Sequence, residues 1–130
     1  MFHLKLIISL TIISLSSMSF AETIRMVQAD KTFLGNITDK EASDSFDNPA
    51  IEEKNKVEAI KAKVGDKILF LNRDEVTHNV SGTINTETIF DVKLQDPGVK
   101  NDRTIDLTKK GEYIIQCAIH PKMKFKITVD

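Results

Sequence analysis

The sequence predicts an all-β protein, a Greek-key β-sandwich of about seven or eight short strands joined by tight turns. Two observations carry this prediction. Short runs in which polar and apolar residues alternate recur along the second half of the chain, and this period of two is typical of half-buried strands. Residues that favour turns separate the runs, at Gly65-Asp66, Asp96-Pro97-Gly98 and Lys110-Gly111.

The alternating runs place the individual strands. We expect strands at Thr23–Val27, Ala59–Val64, Lys67–Asn72, Val76–Val80, Thr88–Val92, Arg103–Leu107, Glu112–Gln116 and Lys124–Val129. The stretch Asp39–Lys56 differs, because it is rich in charged and small polar residues and poor in large apolar ones. Within it, Asn48-Pro49 is typical of a helix start, with asparagine as the N-cap and proline in the first turn. We therefore expect a peripheral, solvated insert that holds one short helix and contributes little to the core.

The first 21 residues have the pattern of an export signal. A short head containing Lys5 precedes the apolar run Leu6–Leu15, and Ser19-Phe20-Ala21 supplies the small-x-small pattern that a signal peptidase cleaves. The apolar run is well short of the ~20 residues that a membrane-spanning helix needs. A short buried helix is the alternative, but such a helix would carry polar residues at helical spacing. We expect residues 1–21 to be removed and residues 22–130 to form one domain in the periplasm.

The charge balance excludes one class of function. Lys5 is the only lysine or arginine in the predicted signal, so the mature chain would carry 17 basic residues against 19 acidic ones. A nucleic-acid-binding domain usually has a strong excess of basic residues. We therefore expect neither nucleic-acid binding nor stable membrane insertion.

A single cysteine, Cys117, is present among the 130 residues. Small exported proteins often carry paired cysteines, whereas Cys117 has no partner within the chain. An exposed thiol in an oxidising compartment is prone to oxidation. A bound metal would occupy the thiol and protect it.

Cys117 begins a seven-residue segment that contains three side chains able to bind a metal. His120 and Met123 follow it, between two predicted strands. Soft sulfur ligands together with imidazole favour copper, and two histidines, one cysteine and a weak axial methionine are the ligands of blue-copper electron carriers. His3 lies in the predicted signal, so His78 is the remaining candidate for the second histidine. We expect one copper ion in a type 1 site, with Met123 as its axial ligand.

The chain resembles cupredoxins of the plastocyanin and amicyanin group, and still more closely the small cupredoxins labelled methylamine utilisation protein-like. The resemblance covers about Ala59–Asp130, and the spacing from His120 to Met123 is that of amicyanin. Its motifs are Val64-Gly65-Asp66-Lys67-Ile68, Asn72-Arg73-Asp74, His78-Asn79-Val80, Phe90-Asp91, Gly111-Glu112-Tyr113 and Cys117–Met123. The resemblance implies that Asn79 ties the upstream histidine segment to the cysteine loop and hydrogen-bonds near the sulfur.

These features predict an electron carrier and not an enzyme. Four protein ligands leave no open coordination position, and a thiol nucleophile would not account for Met123. We expect a redox partner, such as a cytochrome, a dehydrogenase or an oxidase, to dock transiently near His120, whose neighbours Ala118, Ile119 and Pro121 are apolar. A protein that buffers or delivers copper would use the same ligands and is the alternative. A partner-binding sandwich with a vestigial site is disfavoured by the intact ligand set.

Overall fold

The computed structural model describes residues 20–130. The predicted export signal, residues 1–21, therefore lies almost entirely outside the described residues. Over the described range the chain folds into nine strands and two short α-helices. The strands are β1 Thr23–Ala29, β2 Thr32–Gly35, β3 Ala59–Ala62, β4 Lys67–Asn72, β5 His78–Ile84, β6 Glu87–Gln95, β7 Arg103–Asp106, β8 Gly111–Cys117 and β9 Lys124–Val129; the helices are α1 Asp39–Asp44 and α2 Pro49–Asn55.

The strands form two sheets, which confirms the predicted all-β sandwich. One sheet has the order β2-β1-β4-β7 and the other has the order β3-β9-β8-β5-β6. Strands β1 and β4 run parallel, as do β3 and β9, while the remaining pairs are antiparallel. β4 and β9 have the bounds that their alternating patterns predict. β2 was not predicted, because its four residues carry too little alternation to stand out.

The main core lies between the sheets and follows from the alternation of the strands. In β9 every second residue is buried, so that Phe125, Ile127 and Val129 face inward while the polar residues that alternate with them, two lysines and a threonine, face solvent. Phe125, which stands where many cupredoxins have glycine, packs edge-on against Phe33 of β2 with the ring centroids 4.9 Å apart. The fully buried Phe70 and Tyr113 lie in the same cluster.

The insert Asp39–Lys56 corrects one expectation. It holds two short helices instead of one, and Ala42 of α1 is completely buried. Ala42 belongs to a second apolar cluster with Val27, Ile37 and Leu71, and Phe46 packs against it. The insert thus contributes little to the core, as predicted, since no residue of it belongs to the main cluster between the sheets. The small side chain of Ala42 lets α1 pack closely against the outer face of one sheet.

The start of α2 agrees with the prediction. Asn48 is the N-cap, its side-chain oxygen accepts a hydrogen bond from the N–H of Ala50 at 3.2 Å, and Pro49 begins the helix. α1 begins with a capping box that was not predicted, formed by Thr38 and Glu41.

Neither α1 nor α2 is long or apolar enough to cross a membrane, and the same holds for every helix within residues 20–130.

Candidate metal centre

His78 and Cys117 meet because two neighbouring antiparallel strands begin and end at the same edge of a sheet. His78 is the first residue of β5 and Cys117 is the last residue of β8. The two strands pair with Val80 opposite Cys117, which brings residues 39 positions apart in sequence into contact. Both side chains are completely buried. The β8–β9 loop then carries His120 and Met123 over this edge.

Three ligand atoms converge at this edge. The Nδ1 atoms of His78 and His120 are 3.2 Å apart, and each lies 3.7 Å from Sγ of Cys117. No other group of three or more histidine, cysteine or acidic side chains within the described part of the chain has its ligand atoms gathered in this way. The geometry therefore brings together three of the four predicted ligands.

The spacing of these atoms fits a trigonal set of metal ligands. Metal–nitrogen bonds of ~2.0 Å and a metal–sulfur bond of ~2.3 Å, arranged about 120° apart, would separate sulfur from nitrogen by ~3.7 Å and the nitrogens by ~3.5 Å. The observed separations of 3.7 Å and 3.2 Å are close to these values. The thiolate and two imidazoles are also the donor types that copper prefers.

Met123 lies beside this cluster and is held through its backbone. Its N–H donates to the carbonyl oxygen of His120 at 2.9 Å, and its own carbonyl oxygen accepts from the N–H of Cys117 at 3.1 Å. The side chain of Gln116 closes the loop further by donating to the carbonyl oxygen of Pro121 at 2.7 Å. Met123 is 3% exposed, and it borders the same surface groove as His120. The loop that carries two of the predicted ligands is thus tied down at several points.

Asn79 joins the histidine strand to the cysteine loop through its backbone. Its N–H donates to Sγ of Cys117 at 3.3 Å, and its carbonyl oxygen accepts from the N–H of Ala118 at 2.9 Å. A hydrogen bond to a thiolate sulfur stabilises its negative charge and so affects the potential of a metal bound to it. The resemblance implied that Asn79 links the two segments and hydrogen-bonds near the sulfur. In the structure it is the main-chain N–H and carbonyl oxygen of Asn79 that make these bonds.

Asp74 lies directly behind His78 and was not predicted as a site residue. Its Oδ2 is 2.8 Å from Nε2 of His78, and its side chain is 3% exposed. Backbone N–H groups of Lys31 and Glu75 also donate to the carboxylate, at 2.7 Å and 2.8 Å. Burial opposes ionisation, but these hydrogen bonds outweigh it and hold the pKa of Asp74 below its usual range. The position of an acidic residue four before His78 was the only sequence signal.

The Asp74 carboxylate decides which nitrogen of His78 is free. An ionised carboxylate can only accept hydrogen bonds, so Nε2 of His78 must be the donor. In the neutral imidazole Nδ1 then keeps its lone pair, and Nδ1 is the atom that faces Cys117 and His120. Carboxylates commonly orient metal-binding histidines in this way.

His120 differs from His78 in its exposure. It is partly exposed in the β8–β9 loop, next to Ile119, which is 49% exposed. Partial burial lowers the pKa of His120, and Lys31 and, when it is protonated, His78 lower it further, because like charges nearby disfavour the imidazolium form. The neutral imidazole that this favours at neutral pH is the form that can bind a metal.

Comparison with known proteins agrees with this fold. Amicyanin from Paracoccus versutus superimposes with a TM-score of 0.56 and 14% identity, covering 83% of this chain and 81% of that one. In sequence, the chain is 30% identical to methylamine utilization protein MauL of Methylophilus methylotrophus over 66 residues, and 30% identical to amicyanin of Paracoccus denitrificans over 73 residues. The chain has the same fold as amicyanin, a two-sheet β-sandwich. No protein-family model matches the chain.

The sequence similarity of this chain to the relatives named above is partial. It covers 51% of the chain and 38% of MauL, and 55% of the chain and 54% of the amicyanin. The chain thus spans about half of these relatives' length or less. The structural likeness to amicyanin extends further, over 83% of the chain.

Proposed function

We propose that this protein is a cupredoxin, a type 1 copper protein that carries single electrons between redox partners in the periplasm. The observation that carries the proposal is the convergence of His78 Nδ1, Cys117 Sγ and His120 Nδ1 at separations of 3.2–3.7 Å. The similarity to amicyanin supports copper as the metal, since one solved amicyanin structure is described as containing Cu(I).

In this proposal His78, Cys117 and His120 would hold one copper ion, and Met123 would be the fourth, weaker ligand. When bound, copper supplies a one-electron couple between Cu(II) and Cu(I). The protein contributes fixed positions for the ligand atoms. Asp74 holds the His78 ring, Asn79 donates to the sulfur, and backbone hydrogen bonds hold the loop. Ligands held in this way need to move little when the metal changes oxidation state.

The same rigidity supports electron transfer over copper delivery and over catalysis. A delivery protein must pass its metal to a partner's ligands, which requires ligands that the partner can reach. Here His78 and Cys117 are both 0% exposed. Only His120 of the three clustered residues is partly exposed. We therefore infer that electrons pass through the His120 ring while the copper stays in place, and that a redox protein such as a cytochrome, dehydrogenase or oxidase docks there.

We further propose that residues 1–21 are removed on export, leaving residues 22–130 as the mature domain. Glu22 is held in the fold on both sides of its main chain. Its N–H donates to Oδ1 of the buried Asp66 at 2.9 Å, and its carbonyl oxygen accepts from the N–H of Lys67 at 2.8 Å. A chain that begins at Glu22 would place its α-ammonium group against the Asp66 carboxylate. N-terminal sequencing of exported protein should give Glu22 as the first residue.

The function is tested by a visible spectrum and a redox titration of the copper-loaded protein. We expect an intense blue colour in the oxidised state, because the Cys117 thiolate forms a short, covalent bond to Cu(II). The colour should disappear on reduction and return on oxidation over repeated cycles. Tight binding of zinc or Cu(I) without a coloured, reversibly reducible Cu(II) state would contradict electron transfer and support copper delivery.

Replacing the proposed axial ligand should have a mild effect. In Met123→Leu we expect copper to stay bound and the blue colour to persist, because the axial bond is weak and leucine fills a similar volume. The reduction potential should rise, since Cu(II) loses an electron donor. Spectroelectrochemistry of the variant checks both expectations. Loss of copper as complete as that caused by changing Cys117 would show that Met123 is not a weak axial ligand.

Removing the charge of Asp74 should raise the reduction potential. Its carboxylate stabilises the extra positive charge of Cu(II), and at an effective dielectric constant of about 20 such a charge is worth on the order of 1–2 kcal/mol, or tens of millivolts. Asp74→Asn removes that charge. The carboxylate contacts three donors, the N–H groups of Lys31 and Glu75 and Nε2 of His78, whereas asparagine has one acceptor oxygen. The His78 ring should then be held less firmly, so copper affinity should fall.

Glu75→Gln is the matched control for Asp74→Asn. It removes the same charge from the next residue, whose side chain is exposed. We expect its potential to remain close to that of the wild type, because solvent screens an exposed charge. Equal shifts in the two variants would mean that net charge, and not the hydrogen bond to His78, sets the effect.

A further inference from the structure

Four lysines gather on one side of the His120 loop. Lys122 and Lys124 flank Met123 in the sequence, Lys31 lies in the β1–β2 turn, and Lys56 follows α2. All four are exposed and line one groove of about 170 Å³ between the β1–β2 hairpin and the end of the β8–β9 loop. We call these four residues the lysine cluster.

The lysine cluster adjoins the apolar surface around His120. Lys31 and Lys122 also line a neighbouring groove of about 390 Å³, together with Ile119, His120 and Pro121. A partner that covers His120 would therefore also contact Lys31 and Lys122.

The cluster carries positive charge that the rest of the described chain does not neutralise. Within residues 20–130, none of its four members has a carboxylate oxygen within 4.0 Å, whereas Lys40, Lys67, Lys109 and Lys126 each form such a pair. Glu58 lines another groove together with Lys122 and Lys124, but its carboxylate lies more than 4.0 Å from the amine of either lysine. The chain as a whole has a formal net charge of −1. The positive charge at this end is thus a local feature.

We propose that the lysine cluster is a docking surface for the acidic face of a redox protein, which it orients over His120. This inference rests on the proposed function, because it takes His120 as the route of the electron. Complementary charge speeds encounter and selects orientation, while the small apolar area around Ile119 and Pro121 supplies a brief contact. Four lysines on a chain of net negative charge are too few for a nucleic-acid surface.

The test compares electron transfer to two c-type cytochromes, one of net negative and one of net positive charge, by stopped flow. With the wild type at 10 mM salt we expect fast reduction of the acidic cytochrome, slowing about tenfold at 200 mM salt as the charges are screened. The rate with the basic cytochrome should be slower and should depend on salt weakly or in the opposite direction.

Charge reversal in the cluster provides the decisive comparison. Lys31→Glu/Lys124→Glu should slow reduction of the acidic cytochrome about tenfold at low salt and keep the blue spectrum. The potential of each variant is measured as well, so that a change in driving force is separated from a change in docking. The matched control is Lys61→Glu/Lys110→Glu, which makes the same change in net charge at the opposite end of the sandwich, where β3 and β8 meet the end of β9. We expect the control to change the rate less than about twofold.

The possible outcomes distinguish failure of the docking surface from failure of the proposed electron-transfer function. Equal slowing in both double variants would mean that net charge alone acts, and would overturn the docking surface while leaving electron transfer intact. Salt-independent rates with a blue, reversibly reducible wild type would do the same. A wild type without a reducible blue state would overturn both.

Discussion

Cys117→Ser is expected to abolish the blue colour of the copper-loaded protein completely. The colour requires a covalent bond between Cu(II) and a thiolate, and a serine oxygen cannot provide it. The hydrogen bond that Sγ accepts from the N–H of Asn79 can be kept by a serine oxygen, so the fold should tolerate the change. Absorption spectra and circular dichroism of the loaded variant measure the two effects separately.

The two histidines give the matched comparison. His78→Ala and His120→Ala should each either lose copper or admit water at the vacated ligand position, and a variant that keeps copper should show a changed colour. His120→Ala should also slow electron exchange with a partner, because its ring lies at the partly exposed edge of the site. A Cys117→Ser protein that kept the intense blue colour would show that the thiolate is not a ligand.

Gly82→Ala is expected to destabilise the domain by about 2 kcal/mol or more, as overpacking of a well-filled core does. A Cβ at Gly82 would overlap Cε1 of Phe90 and would lie 2.6 Å from Cζ of that ring and 3.0 Å from Cδ1 of Ile115. Phe90 is only partly buried, but a displaced ring would lose part of its packing against Phe70 and Tyr113, whose ring centroids lie 6.1 Å and 6.4 Å away. Urea denaturation at equilibrium measures the loss.

A second substitution distinguishes this clash from other causes. Phe90→Leu removes the ring atoms that a Cβ at Gly82 would meet. Gly82→Ala/Phe90→Leu should therefore be more stable than the sum of the two single effects, which is positive coupling in a double-mutant cycle. Strict additivity would mean that Gly82 is needed for its backbone freedom, near the register shift between Gly82 and Thr83, and not for space.

Several features of the site follow from residues close together in sequence. Cys117, His120 and Met123 lie on one loop, so their chemical types and spacing predict a blue-copper site before any contact is known. The strict alternation of β9 likewise predicts its inward face, because successive side chains of a strand point to opposite sides. These predictions needed only local geometry.

Other features depend on which distant segments the fold brings together. His78 reaches Cys117 only because β5 and β8 are neighbours, and Asp74 reaches His78 only because its loop folds back behind that ring. The lysine cluster comes from three segments far apart in the sequence. No local pattern indicates such contacts, since they result from the pairing of whole strands.

The regions predicted least well are β2 and the insert Asp39–Lys56, and both depend on contacts that no local pattern reveals. β2 was not predicted, because it is short and because the turn before it lacks the usual sequence signal. That turn is formed by Asp30 and Lys31, both with positive φ, and not by the glycine or asparagine usual in such turns. The composition of the insert predicted a solvated surface, and most of it is exposed. Ala42 is buried because packing against the β1–β4 face compensates for its weak hydrophobicity. The sequence by itself determined the strand pattern and the chemistry of the ligands, whereas burial and long-range contact were decided by the free energy of packing the complete fold.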